Sequence, residues 1–280
     1  MCRILGIISL NPVKASKFLV EPECSLLAQA EKGRQGDGWG IAYYDKGSLR
    51  VIKSARPVYE EKEKFVRVSE NIVSNLIIAH VRKASNPRNL PYEKIISVIN
   101  SQPFFYNNFV FVHNGEIRAL EIEEELGEYK KLIQGVNDSE IYFAYLYKEL
   151  EDHGNVVEAL KRFEKRLWDI YFNKKMSRKP FSALNAIFSD GSTLYAYNRY
   201  VIKGKKSLCY GDSERYQMVY KYTGDTLIVA SEKLDREGWK PLNNNELLIA
   251  ELTETSVKFK IRRMPYDITG IFTPFTHPKI

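Results

Sequence analysis

Histidine and cysteine are sparse in this chain of 280 residues, with 4 His and 3 Cys. Cys2, Cys24 and Cys209 lie far apart, are odd in number and form no Cys-x-x-Cys pair. Neither a disulfide framework nor a zinc cluster is expected from them. His80, His113, His153 and His277 show no metal-ligand spacing. No apolar run approaches the roughly 18 residues that cross a bilayer. The start does not read as a secretory leader: Gly6 and Ser9 interrupt the apolar run from Ile4 to Leu10, and Asn11-Pro12-Val13-Lys14 follows without a small-residue cleavage site. The expectation is a cytoplasmic protein. Low-complexity tracts, long Pro- or Ser-rich linkers and internal repeats are also missing. Gln is scarce beside abundant Lys and Glu, a bias that hints at a thermophile. The net charge of +7 is not gathered into a basic tract. Lys and Arg alternate with Glu, as in "YEEKEKFVRVSE" and "EALKRFEKRLWD", the pattern of solvated helix faces. No nucleic acid partner is expected.

What is present is a sizeable apolar content, 44%, enough for one large domain or two small ones. Without a linker, the expectation is a single domain over 1–280, ending in a tail from 264 to 280. Ile4 to Leu10 reads as a buried strand. Pro22-Glu23 opens a short helix that ends in the glycine-dense "KGRQGDGWG". "WGIAYY" and "LRVIKSA" read as a hairpin over Asp45-Lys46-Gly47-Ser48. A helix from Glu60 to Asn75, a buried strand "LIIAHVR", a proline-rich loop and a strand "FVFVHNG" follow. The middle is helical, in "EIRALEIEEELGEYKKLIQG", "NDSEIYFAYLYKELEDHG" and "NVVEALKRFEKRLWDIYF". The last hundred residues return to strands, with a hairpin over Asp190-Gly191. Strands, then helices, then strands argue for an α+β fold with largely antiparallel sheets.

Cys2 stands directly before the first buried strand. If the initiator Met is removed, its thiol lies beside its own free amine. With reference pKa values of about 8 and about 8.5, the amine can take the thiol proton near neutral pH without a histidine. A small residue that happens to start a strand explains this position equally well. Asn114-Gly115, after a strand, fits a hairpin turn, but "EIRALEIEEEL" does not alternate like a returning strand. The pair also fits an oxyanion hole, made by the Asn114 amide and the Gly115 N–H. Arg82 leaves a buried strand, either as a surface cation or as a bidentate carboxylate fork. Asp138 opens a helix where Asn137 and Glu140 form a capping-box-like pair, which leaves its carboxylate free for an ammonium group. A thiol, an oxyanion hole, a carboxylate binder and an ammonium binder together imply acyl transfer from the side-chain amide of an amino acid, glutamine foremost.

"MCRILG", "GDGWGIAYY", "AHVRKAS", "FVHNGEI" and "NDSEIY", in this order, resemble the class II glutamine amidotransferases, and "IVASEKL" with "GWKPL" resembles their short stand-alone branch. These enzymes belong to the N-terminal-nucleophile hydrolases. The resemblance implies a four-layer αββα sandwich, with two mainly antiparallel sheets between helices. It implies Cys2 as nucleophile and Asn114 and Gly115 as the oxyanion hole. Arg82, with Ser85 nearby, would hold the α-carboxylate, and Asp138 the α-amino group. Asp37 and Gly38 would shape the turn beside the nucleophile. No metal and no organic cofactor are implied. One departure stands out: "NSQPFF" carries Gln102 where the family usually has His, and Gln hydrogen-bonds but does not titrate.

The implied reaction is attack of a Cys2 thiolate on a glutamine or γ-glutamyl amide, a glutamyl thioester, and release of ammonia for hydrolysis or transfer. A stand-alone amidohydrolase without ammonia transfer is one alternative, and an inactive binding module of the same fold is another. A papain-like Cys–His pair using His80 or His113 is a further rival, although both lie in apolar strand contexts. An ammonia-accepting synthase subunit or a second copy of the chain are the partners to expect, with no membrane partner. The aromatic tail "MPYDITGIFTPFTHPKI" either packs on its own core or docks on another subunit.

Overall fold

Strand β1 (Arg3–Lys14) answers why residue 2 is not a frayed end. It lies at the centre of a seven-stranded antiparallel sheet, between β4 (Val73–Val81) and β10 (Thr226–Ala230). Ile4, Leu5, Ile7 and Ile8 are all fully buried. Covering each such side chain contributes roughly 1.5–3 kcal/mol, and β-branched residues suit the pleat. The computed structural model describes residues 1–202 and 204–265.

The first sheet is completed by β2 (Trp39–Asp45), β3 (Ser48–Ser54), β9 (Met218–Tyr222) and β11 (Lys240–Leu242), in the order β11-β9-β10-β1-β4-β2-β3. The second sheet holds β5 (Phe104–Tyr106), β6 (Phe109–Asn114), β7 (Asn185–Ser189), β8 (Thr193–Asn198), β12 (Glu246–Leu252) and β13 (Val257–Arg263). Its order is β13-β12-β8-β7-β6-β5, and every pairing in both sheets is antiparallel. One apolar cluster fills the space between the sheets, with Ile4, Ile8, Ile78, Val110, Val112 and Ile187 among its members. A second packs the outer face of the first sheet under α1 (Ser16–Leu19), α2 (Leu26–Gly33) and α3 (Lys62–Asn71). A third packs the second sheet under a 3-10 segment (Leu120–Leu132), α5 (Asp138–His153) and α6 (Val156–Asn173), while α4 (Tyr92–Ile95) is a single turn in the proline-rich loop. The result is the expected αββα sandwich. Both sheets are covered on both faces, so strands such as β1 read as continuous apolar runs rather than as alternation.

Several local expectations shift. The first sizeable helix starts at Leu26, because Ser25 caps it by accepting the N–H of Ala28, and Pro22-Glu23 lies in a turn. The helix expected from Glu60 to Asn75 spans only Lys62–Asn71, and Val73 already belongs to β4. "LEIEEELGEYKKL" is a 3-10 segment broken at Gly127 (φ +56°) rather than one helix. Asn137 caps α5 as expected, but Glu140 does not reach back to it: the Glu140 carboxylate accepts the N–H groups of Gln134 and Gly135. The absence of a disulfide is corrected. Cys24 and Cys209 are bonded, with Cα atoms 6.2 Å apart across 185 residues of sequence. Met264, the first residue of the expected tail, is buried. The tail's 266–280, with Tyr266, Ile268, Ile271, Phe272 and Phe275, lie outside the described residues.

Candidate active site

Strand alternation builds the site. Ile4 and Ile8 of β1, Leu76 and Ile78 of β4, and Val110 and Val112 of β6 all point into the core between the sheets. The same two-residue period carries Cys2, His80, Arg82 and Asn114 onto that inner face at one end of the sandwich. There the apolar rows stop and polar groups take over.

Cys2 is 8% exposed. Its Sγ accepts the N–H of Lys83 and lies equally close to the Lys83 carbonyl, both at 3.4 Å. Burial pushes the thiol pKa up, while the terminal amine, the Lys83 N–H and the Arg82 charge pull it down. The terminal amine belongs to Met1, and desolvation lowers it from 8.0 to about 6. With Met1 in place, this amine is largely unprotonated at neutral pH. The Met1 carbonyl is held by Gln35 Nε2 at 3.2 Å.

Arg82 is 2% exposed, which removes the surface-cation alternative. Its Nη1 donates to the carbonyls of Ile95 (2.8 Å) and Asp37 (3.4 Å), and its Nε and Nη2 have no partner among the described residues. Asp37 braces the same loop: Oδ2 accepts the Ala84 N–H at 2.7 Å, and Oδ1 accepts the Tyr92 hydroxyl. Gly38 has φ +123°, and a Cβ there would lie 2.7 Å from the Ser54 carbonyl. Asp37 and Gly38 thus have the expected structural character.

Asn114 is fully buried, and neither its amide nitrogen nor its oxygen has a partner. Gly115 is not a hairpin residue. A Cβ on it would stand 2.0 Å from the Ala183 carbonyl, so only glycine lets the chain pass between β6 and the segment before β7. Asp138, 1% exposed, accepts the Ser85 hydroxyl on Oδ1 (3.0 Å) and the Ile117 N–H on Oδ2 (2.7 Å). Desolvation raises its pKa from 3.8 to about 6, against the pull of those two donors. A hydrogen bond joins Ser85 directly to Asp138. The Cys2 thiol feels the charges of both Arg82 and Asp138.

Neither His80 nor His113 hydrogen-bonds to the Cys2 thiol. His113 Nδ1 meets Ser139 Oγ at 2.9 Å and its Nε2 meets the Ala183 carbonyl at 3.0 Å, so both ring nitrogens are engaged away from the thiol. Burial lowers its pKa to about 4. In His80 both nitrogens are buried without partners, and desolvation holds its pKa well below the ordinary value. Among the described residues no group of three or more His, Cys, Asp or Glu is placed to hold a metal ion.

The roles of Gln102, noted in the sequence only as a departure, and of Glu232 emerge from the structure. Gln102 Oε1 accepts the His113 N–H (2.6 Å) and its Nε2 donates to the His113 carbonyl (3.2 Å), so its side chain replaces a strand at the edge of β6. Glu232 sits 3.5 Å from Arg3, the residue next to Cys2, and accepts the N–H groups of Leu208 and Cys209. Together with the disulfide it fastens residues 204–216 over the site. That segment has no periodicity to reveal it.

A sequence profile described as glutamine amidotransferases class-II matches residues 1–264. An uncharacterised protein of Methanocaldococcus jannaschii is 31% identical, over 89% of this chain and 69% of its own length. The probable glutamine amidotransferase DUG3 of Saccharomyces cerevisiae is 27% identical over 89% of this chain and 81% of its own. A γ-glutamyl-hercynylcysteine sulfoxide hydrolase of Mycobacterium tuberculosis is 29% identical over 42% of this chain and 50% of its own. Among solved structures, a glutamine aminotransferase class-II domain protein from Silicibacter pomeroyi superposes with a TM-score of 0.60 at 19% identity, covering 92% of this chain and 98% of its own.

Proposed function

Because this chain belongs to the class II glutamine amidotransferases, enzymes of the carbon–nitrogen amide bond, we propose that it cleaves a glutamine or γ-glutamyl amide with Cys2 as nucleophile after loss of Met1. The Cys2 amine takes the thiol proton. The thiolate attacks the amide carbon, and the developing oxyanion is met by the Asn114 side chain and the Gly115 N–H. The carbon–nitrogen bond breaks, the amine departs with the proton, and water hydrolyses the thioester to glutamate. Arg82, with Ser85 bracing the pocket, takes the α-carboxylate, and ionised Asp138 takes the α-ammonium.

The observation that carries this reading is Asn114. A buried amide left without partners costs about 1–3 kcal/mol, and a group arriving only with substrate recovers it. The compartment proposed is cytoplasmic. A disulfide there is a feature of hyperthermophiles, in keeping with the Lys- and Glu-rich, Gln-poor composition. No helix among the described residues is long and apolar enough to cross a membrane.

The test is glutamate release by protein whose intact mass shows Met1 removed, beside protein with an uncleaved N-terminal tag and the Cys2→Ala variant. Turnover only by the first is expected. Normal turnover by folded, tagged protein sinks the amine-as-base mechanism. A large rise on adding co-purifying chains would identify an ammonia-delivering subunit instead of a stand-alone hydrolase.

A further inference from the structure

A cavity of about 430 Å3 opens beside the nucleophile. Met1 and Lys83 line it on one side, and Lys205, Glu214, Arg215 and Tyr216 on the other. Lys83 is the residue whose backbone holds Cys2 Sγ. Neither Arg82 nor Asp138 lines the cavity, so it is distinct from the groups proposed to hold the glutamyl half of the substrate.

Its charge is one-sided. Three cations, Lys83, Lys205 and Arg215, face one carboxylate, Glu214, whose Oε2 is already taken by the Gly204 N–H at 3.1 Å. Lys83 Nζ reaches only a carbonyl, that of Arg34, at 3.2 Å. The side chains of Lys205 and Arg215 make no hydrogen bond or ion pair among the described residues, and Arg215 Nε is buried without a partner. A guanidinium so placed lacks the planar anion it is shaped to bind bidentately.

Free glutamine does not use such a space. Its leaving group is ammonia, about the size of a water molecule, which occupies about 30 Å3 in the liquid. Once protonated it is a cation, which a row of cations disfavours. We propose that this cavity receives the amine half of the substrate and that this half carries a carboxylate. The substrate class is then a γ-glutamyl amide of an amino acid or short peptide, with Arg215 and Lys205 as specificity-determining residues. This rests on the hydrolytic role proposed above for Cys2.

The chemistry balances with water alone. The Cys2 thiolate forms a bond to the γ-carbonyl carbon, and the bond from that carbon to the amide nitrogen breaks. The proton taken from the thiol by the Cys2 amine passes to the departing nitrogen. The free amino acid or peptide leaves with its carboxylate among the cations, and one water converts the thioester to glutamate and restores the thiol. Fastening by Glu232 and the Cys24–Cys209 bond holds the segment carrying Lys205 and Arg215 in place over the thiol.

The experiment uses the full chain with Met1 removed and three substrates: γ-glutamylalanine, its carboxamide γ-glutamylalaninamide, and glutamine. A charge-assisted contact corresponds to roughly tenfold to a hundredfold in kcat/KM. The free acid should therefore exceed its carboxamide by at least about tenfold, and glutamine by more. In Arg215→Gln, and separately in Lys205→Met, the ratio of acid to carboxamide should fall toward one. The wild-type ratio tests the inference even where a variant does not fold. Equal rates for acid and carboxamide, or a preference for glutamine, overturn the inference and leave the hydrolytic role standing. Hydrolysis of none of the three overturns that role and the inference with it.

Discussion

Replacing Asp138 with Asn should make the protein more stable and less active, and the two effects should separate by pH. The carboxyl is 1% exposed, and burial lifts its pKa from 3.8 to about 6. A native pKa above the unfolded value means that the folded state binds the proton more tightly. The stability this group contributes is fully present below about pH 3.8 and is lost as the pH rises through about 6. The rise corresponds to about 3 kcal/mol at 1.36 kcal/mol per pKa unit, an upper figure for a group that still keeps two hydrogen bonds. Asn can accept the Ile117 N–H and donate to Ser85, so the gain for Asp138→Asn should approach 3 kcal/mol at pH 8 and vanish near pH 4. Urea unfolding at both pH values measures it through the midpoint, at unchanged slope. In the same variant, losing the ammonium partner should lower kcat/KM on a γ-glutamyl amide about tenfold to a hundredfold. In the wild type, kcat/KM should fall as the pH drops through about 6. The limb in kcat should lie lower, because a bound ammonium keeps Asp138 ionised. A variant that is less stable at pH 8, or whose stability difference does not close toward pH 4, refutes the electrostatic argument. Retained activity refutes the ammonium role.

Other expectations test the neighbouring groups. Asn114→Ala should lower kcat by about a hundredfold or more with little change in KM, because the oxyanion forms only on the way through the transition state; a loss confined to KM would refute that role. Arg82→Ala should lower kcat/KM by at least about tenfold, and steady-state kinetics showing unchanged turnover would move the carboxylate site elsewhere. Gln102→Ala leaves the His113 N–H and carbonyl unpaired at the edge of β6, and should cost about 1–3 kcal/mol in denaturant unfolding while catalysis persists. Opening the Cys24–Cys209 bond releases a loop of 185 residues, for which chain entropy gives roughly 5 kcal/mol. Thermal unfolding with and without reductant, and of Cys24→Ser, should show a lowered midpoint, and an unchanged midpoint would remove the disulfide from the account.

The sequence by itself determined most of the order of elements and the motifs that mark the family. Local rules were enough for the hairpins: Lys46 and Gly47 both take positive φ, and Asp190 Oδ1 accepts the N–H groups of Ser192 and Thr193. Cys2 before a buried strand, Asn114-Gly115 after one, and Asp138 after a capping Asn were all visible because each signal lies within a few residues. Helix limits were less legible where a neighbour overrides propensity, as at Val73, which enters β4 instead of extending α3, and at Gly127, where the 3-10 segment breaks. Tertiary structure alone decided what depends on residues far apart in the chain. It paired Cys24 with Cys209, set Gln102 against the His113 backbone, joined Glu232 to both Arg3 and residues 208–209, and laid Lys205 and Arg215 across a cavity from Met1 and Lys83. A contact across 185 residues leaves no period in the sequence, because hydrophobic patterning records only which face of an element is covered and not which distant side chain covers it.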